Sequence, residues 1–167
     1  MITSTANQKI KRILKLQKKA KARNEEGIFI VEGIRMMKEA PESRIKELYI
    51  SETFLQKYLD LPEHLKKKAE MVSDPVFAHM SDTKTPQGIL GVIRRMSWTM
   101  DELLHGEDGR APFLMVLDHL QDPGNLGTIL RTAEGAGVSG IVMSSDCADI
   151  YNPKVIRSTM GSIFRVP

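Results

Sequence analysis

The sequence predicts an α/β protein in two units, and three observations carry that reading. Along residues 1–95, short apolar runs alternate with stretches of helical periodicity, the pattern of strands and helices that pack as layers. Further on, the apolar runs FLMVLD from Phe113 and GIVMSS from Gly140 flank one helical segment, which is the order of a parallel strand–helix–strand unit. Between the two, SWTMDELLHGEDGRAP (97–112) gathers charge, glycine and proline and reads as a connection with one helical turn in DELL. The expected division is 1–95, a linker over 96–112, and 113–167. A chain of 167 residues, 41% of them apolar, can bury a core.

The elements follow in order. Asn7 is placed to cap a single helix reaching Arg23, with Ile10, Ile13, Leu14 and Leu16 at helical spacing. IFIVEG (28–33) reads as a strand and 34–40 as a helix stopped by Pro41. IKELYIS (45–51) is a second strand, followed by helices over 52–58 and 62–68, an AEMVS strand and a helical turn in PVFAHMS. DTKTPQG (82–88) has Pro86 and Gly88 where a type I turn favours them, and ILGVIRR closes the unit as a strand. In the second unit FLMVLD is expected to be buried on both faces. Asn152-Pro153 caps a helix from Pro153 to Gly161, and IFRVP starts a third strand. So few elements cannot cover both faces of a parallel sheet, so the second unit reads as unfinished, completed by other chains or by residues beyond Pro167.

Charge narrows the functional classes. Lys and Arg number 24 against 21 Asp and Glu, a net charge of +3, which alone says little about nucleic acid. The distribution says more: Lys9, Lys11, Arg12, Lys15, Lys18, Lys19, Lys21 and Arg23 follow one another without an acidic residue. That block is a candidate phosphate-binding surface, with Arg35 a possible addition, and the alternative is a solvated helix face. One cysteine, Cys147, excludes an intrachain disulfide, and no Cys/His clustering suggests a metal. No apolar run approaches a membrane span or a signal-peptide core. The expected setting is a reducing cytoplasm.

The segment LDHLQDPGNLGTILRTAEGAG (117–137) joins strand to helix through a glycine-bearing turn. A dinucleotide fold requires G-x-G-x-x-G, and Gly124-Asn125-Leu126-Gly127 has the wrong spacing. A P-loop requires a Lys followed by Ser or Thr after its last glycine, and Gly127-Thr128-Ile129 offers no such pair. The glycines read instead as the means of a tight turn, with Asn125 a helix cap. On a helical wheel Leu126, Ile129, Leu130 and Ala133 share a stripe with Arg131 opposite it. From position alone, Asn125 and Arg131 have both a structural and a functional reading.

That segment resembles the first signature of the SpoU, or TrmH-like, family of RNA ribose 2′-O-methyltransferases, and DIYNPKVIRSTMGSIFRVP looks like the helix and strand that follow it. NQKIKRILKL, FIVEG and SDTKTPQGILGVI are similar to the substrate-binding domain of many members, itself resembling ribosomal proteins that bind kinked RNA. The resemblance implies a parallel α/β domain ending in a deep trefoil knot, as in the SPOUT superfamily. It also implies a homodimer, S-adenosylmethionine as cofactor, no metal, and methyl transfer to RNA, ribosomal RNA being favoured. Asn125 and Arg131 fall on the family's catalytic positions. There the arginine activates the target hydroxyl or binds its phosphate, and the asparagine fixes local geometry. The family's later signatures lie after the point where this chain stops, so the cofactor-binding residues are expected beyond Pro167 and the chain alone is expected to be inactive. The alternative is a non-catalytic module that binds structured RNA.

Overall fold

A computed structural model describes residues 1–58, 61–105 and 111–167, and it divides into Met1–Arg95 and Met96–Pro167. In the first unit α1 (Gln8–Lys18) starts where expected, the Asn7 side chain accepting from the Lys9 N–H. It does not reach Arg23. Lys19 is extended (φ −119°, ψ 111°) and a separate α2 (Ala20–Glu26) follows. The break turns Arg23 inward, where Nη1 donates to the carbonyls of Leu16 (2.5 Å) and Gln17 (3.0 Å). Carbonyls in a last helical turn lack intrahelical donors, and here a cation from the next helix serves them. Gly27, left-handed at φ 62°, ends α2.

The sheet comprises β1 (Ile28–Glu32), β2 (Ile45–Ser51), β3 (Ala69–Val72) and β4 (Ile89–Arg94) in the order β1-β4-β2-β3. The β1–β4 and β4–β2 pairs are antiparallel and β2–β3 is parallel. Between the strands run α3 (Ile34–Glu39), α4 (Glu52–Lys57), α5 (Glu63–Lys68) and α6 (Asp74–Met80). Ile10, Ile13 and Leu16 of α1 are fully buried with Ile28, Ile30, Leu90, Val92 and Phe77, each such side chain contributing roughly 1.5–3 kcal/mol. Side chains alternate across a strand, so Gly91 faces the other way. A Cβ there would lie 2.6 Å from the Met37 sulfur of α3, which puts α1 and α3 on opposite faces.

In the second unit the expected linker carries structure. Helix α7 (Met100–His105) opens with Thr99 and Glu102 in a reciprocal cap, Thr99 Oγ1 accepting from the Glu102 N–H (3.2 Å) and Glu102 Oε2 accepting from the Thr99 N–H (2.6 Å). Leu103 is buried against Gly140, whose side of the backbone has no room for a Cβ. Gly106 and Gly109, which support the linker reading, lie outside the described residues. Strands β5 (Leu114–Leu117) and β6 (Gly140–Met143) pair in parallel, Leu114 beside Gly140 and Leu117 beside Met143. Helices α8 (Pro123–Gly135) and α9 (Pro153–Thr159) pack on each other. Gly127 permits their approach, since a Cβ on it would lie 2.7 Å from Ser158 Cβ and 2.8 Å from the Val155 carbonyl oxygen.

Two expectations for this unit are corrected. β5 is not buried on both faces: none of its four residues is fully buried, Val116 is 72% exposed, and Phe113 just ahead of the strand is 56% exposed. The third strand does not start at Ile163. Met160 and Gly161 are both left-handed (φ 52° and 100°) and reverse the chain into a 3₁₀ turn at Ser162–Phe164. The backbone reaches β6 at Pro167, whose carbonyl accepts from Ile141 N–H at 2.8 Å.

Candidate active site

The β5–α8 turn is built differently from its sequence reading. Asp122, not Asn125, caps α8: its Oδ1 accepts from the Asn125 N–H at 2.6 Å, with Pro123 in the first turn. Asn125 therefore sits in the first turn of the helix with its side chain exposed, and the structural role that accounted for it falls to Asp122. Gly124 and Gly127 are helical residues, so they do not make the tight turn. His119 makes it, at φ 52°, a conformation costing a non-glycine residue of order 1 kcal/mol.

That conformation is held from the β6–α9 loop. His119 N–H donates to Ser144 Oγ (3.0 Å), and Leu120 N–H to Cys147 Sγ (3.4 Å). The thiol itself contacts the Leu117 carbonyl (3.4 Å), while the N–H groups of Ser144 and Ala148 donate to the carbonyls of Leu117 (3.0 Å) and Leu120 (2.7 Å). The turn ahead of α8 is thus fixed on both sides of His119. Sequence reasoning missed this role for Ser144 and Cys147. The available signal was a histidine in His119-Leu120-Gln121-Asp122-Pro123, between a strand and a helix cap, since histidine is enriched among left-handed residues.

Arg131 projects from α8 into solvent and, among the described residues, makes no hydrogen bond or ion pair. Glu134, one turn along, is already engaged. It accepts from Arg165 and from Ser162 Oγ (2.5 Å), and those bonds, Arg165 foremost, hold its carboxyl below the usual range. Asn125 and Arg131 are about 9 Å apart along the helix axis and about 120° around it. They share a helix without forming a contact pair.

The basic block is smaller than its sequence. Arg23 is 2% exposed and bound to α1 carbonyls, so it leaves the expected RNA surface. Lys9 pairs with Glu70 at 2.5 Å. Arg12 is half-buried between Glu26 (2.5 Å) and Glu47 (2.8 Å). Its guanidinium is held charged chiefly by the Glu26 bond. Burial disfavours the Glu47 carboxylate, yet bonds from Tyr49 and Arg12 outweigh it and lower its pKa, while Tyr49, buried and donating to Glu47 at 2.7 Å, is pushed up. Lys11, Lys15 and Lys18 remain exposed on a stripe about 60° wide, with about 6 and 4.5 Å of rise between neighbours. Lys19 is exposed at the break. Arg35 opens α3 on the opposite face of the sheet from α1, so it belongs to another surface. A cavity of about 300 Å³ between α3 and α5, lined by Met37, Ile45, Tyr58, Leu61 and Leu65 among others, is walled by first-unit residues alone. Among the described residues no cluster of His, Cys, Asp or Glu is arranged for a metal, and no helix is long and apolar enough to cross a membrane.

A mixed-sheet unit and a parallel strand–helix–strand unit in one chain define a two-part α/β class. Residues 7–91 match the MRM3-like substrate binding domain, and 112–167 match the SpoU rRNA Methylase family. The chain belongs to that SpoU family. It is 34% identical to the Bacillus subtilis 23S rRNA (guanosine(2553)-2'-O)-methyltransferase RlmP over 99% of its length and 63% of that protein. It is 32% identical to the human mitochondrial rRNA methyltransferase 3, over 96% of this chain and 39% of that one. The AdoMet-bound rRNA methyltransferase of Sinorhizobium meliloti superposes with a TM-score of 0.82 at 28% identity, covering 99% of this chain and 62% of the other. The chain therefore spans less than two thirds of these relatives.

Proposed function

We propose that the full-length protein carrying this chain transfers a methyl group from S-adenosylmethionine to a ribose 2′-hydroxyl of ribosomal RNA. The observation that carries the reading is the exposed, unengaged Arg131 guanidinium on α8, set in a SpoU match that spans 112–167. S-adenosylmethionine, when bound, supplies an electrophilic methyl; the residues that hold it are not assigned within 1–167, and the α3–α5 cavity contains neither Asn125 nor Arg131.

The chain's own part is on the RNA side. A 2′-hydroxyl is a weak nucleophile, so its proton must pass to water as the C–O bond forms and the methyl's bond to sulfur breaks to leave a thioether, and the oxygen must be held in line with the methyl. A guanidinium stays protonated, so Arg131 serves by anchoring the adjacent phosphate and stabilising the developing alkoxide, not as a base. The Asn125 amide orients the neighbouring sugar. Lys11, Lys15 and Lys18, with Lys19, grip phosphates through the first unit. Homodimerisation through the second unit is supported by two exposed apolar side chains, Val116 on β5 and Phe113 just ahead of it, and a cytoplasmic setting by the bacterial relatives.

Methyl transfer by the full-length protein to ribosomal RNA tests the reading. Arg131→Ala is expected to lower kcat about 100-fold or more, the scale of losing one oxyanion-stabilising donor, with S-adenosylmethionine affinity retained. A wild-type protein that neither binds S-adenosylmethionine by calorimetry nor methylates RNA would leave the RNA-binding module as the correct reading.

A further inference from the structure

We infer that His119 contacts the RNA directly, its imidazole bonding a ribose hydroxyl beside the target nucleotide; the inference rests on the methyltransferase reading above. His119 follows β5 at the carboxyl edge of the parallel β5–β6 pair, the edge at which α/β sheets receive their ligands, on the segment that leads into α8 and Asn125. Its backbone is left-handed at φ 52°, a conformation glycine adopts without strain. The turn itself has no need of an imidazole: its bonds run through the backbone groups of Leu117, His119 and Leu120 to Ser144, Cys147 and Ala148. The side chain is exposed and, among the described residues, makes no hydrogen bond. A disfavoured backbone fixed by five cross-loop contacts therefore presents a ring that no other described residue uses.

The chemistry of that ring selects the ligand. A neutral imidazole offers one donor and one acceptor, and a ribose hydroxyl is likewise both. Asp118 and Asp122 flank the turn and are exposed, which disfavours a phosphate and leaves the uncharged sugar as the better partner.

The test uses the full-length protein and an RNA fragment that the wild type methylates, comparing His119→Gly with wild type. Glycine suits the left-handed position, so the variant keeps the fold, and its melting temperature is expected to be unchanged or higher. The expected result is a KM for RNA raised about tenfold, with kcat and S-adenosylmethionine affinity within twofold. An unchanged KM would show that His119 is only a turn residue, and a parallel loss of S-adenosylmethionine affinity would show that it shapes the loop; either result overturns the inference. If the wild type methylates no RNA, it is the methyltransferase reading that has failed.

Discussion

Replacing Gly127 by alanine tests the helix pairing on which the site stands. An ordinary glycine within a helix gains about 1 kcal/mol on becoming alanine. Gly127 faces α9, and the new methyl would lie 2.8 Å from the Val155 carbonyl oxygen and 2.7 Å from Ser158 Cβ. Backbone cannot rotate away, so α8 and α9 must separate by several tenths of an ångström. Overpacking of this kind costs about 1–3 kcal/mol, which exceeds the propensity gain and leaves a net loss of about 1 kcal/mol. For a unit the size of Met96–Pro167 that is a fall of roughly 4–8 °C in melting temperature. Gly135 supplies the control: it ends the same helix, and a Cβ there meets nothing within 4 Å. Gly135→Ala should hold or raise the melting temperature while Gly127→Ala lowers it. Thermal unfolding followed through Trp98, the only tryptophan of the chain and part of this unit, reads both. A Gly127→Ala protein that melts at or above wild type would refute the close approach of the helices.

Other expectations concern charged groups of both units. Arg12→Met should destabilise it by about 1–3 kcal/mol, because Glu47 keeps its half-buried carboxylate and loses a charged partner; Lys11→Ala should change stability by less than about 0.5 kcal/mol, and urea titrations of the two variants give the comparison. Glu47 and Glu134 titrate below the usual carboxylate range, so the stability they confer is complete above the unfolded value of about 4.3 and is lost as pH falls through the lower folded values. Acid unfolding should accordingly begin below about pH 4, and at higher pH in Arg12→Met. Changing Lys11, Lys15 and Lys18 together to alanine should weaken RNA binding and reduce the log–log salt slope by roughly 2 to 3; an unaltered slope in a filter-binding titration would make the stripe ordinary surface.

The order of elements was legible in the sequence because hydrophobic period and capping residues are local. The strands at 28–32, 45–51 and 89–94 and the caps at Asn7 and Asn152 follow directly from such signals. What stayed hidden depends on partners that no hydrophobic period or capping residue reports. Nothing near Arg23 announces that its partners are α1 carbonyls. The acidic residues that occupy Lys9 and Arg12 come from Glu70, Glu26 and Glu47, so a run of positive charge overstated the free cations. Asn125 and Arg131 were found through resemblance to a known signature, whereas the brace on His119 arises from a loop that follows β6. A conformational demand of that sort is visible only once the two loops are side by side.

The extended residue at Lys19 bears on how the lysine stripe can be transplanted. A peptide covering Gln8–Lys18 would carry every exposed lysine of α1, yet its final carbonyls would face water without the Arg23 guanidinium. An isolated helix that short is marginal in water, and its apolar side would have no sheet beneath it. The smallest portable form of this grip is therefore a folded domain that includes α2, not a basic peptide.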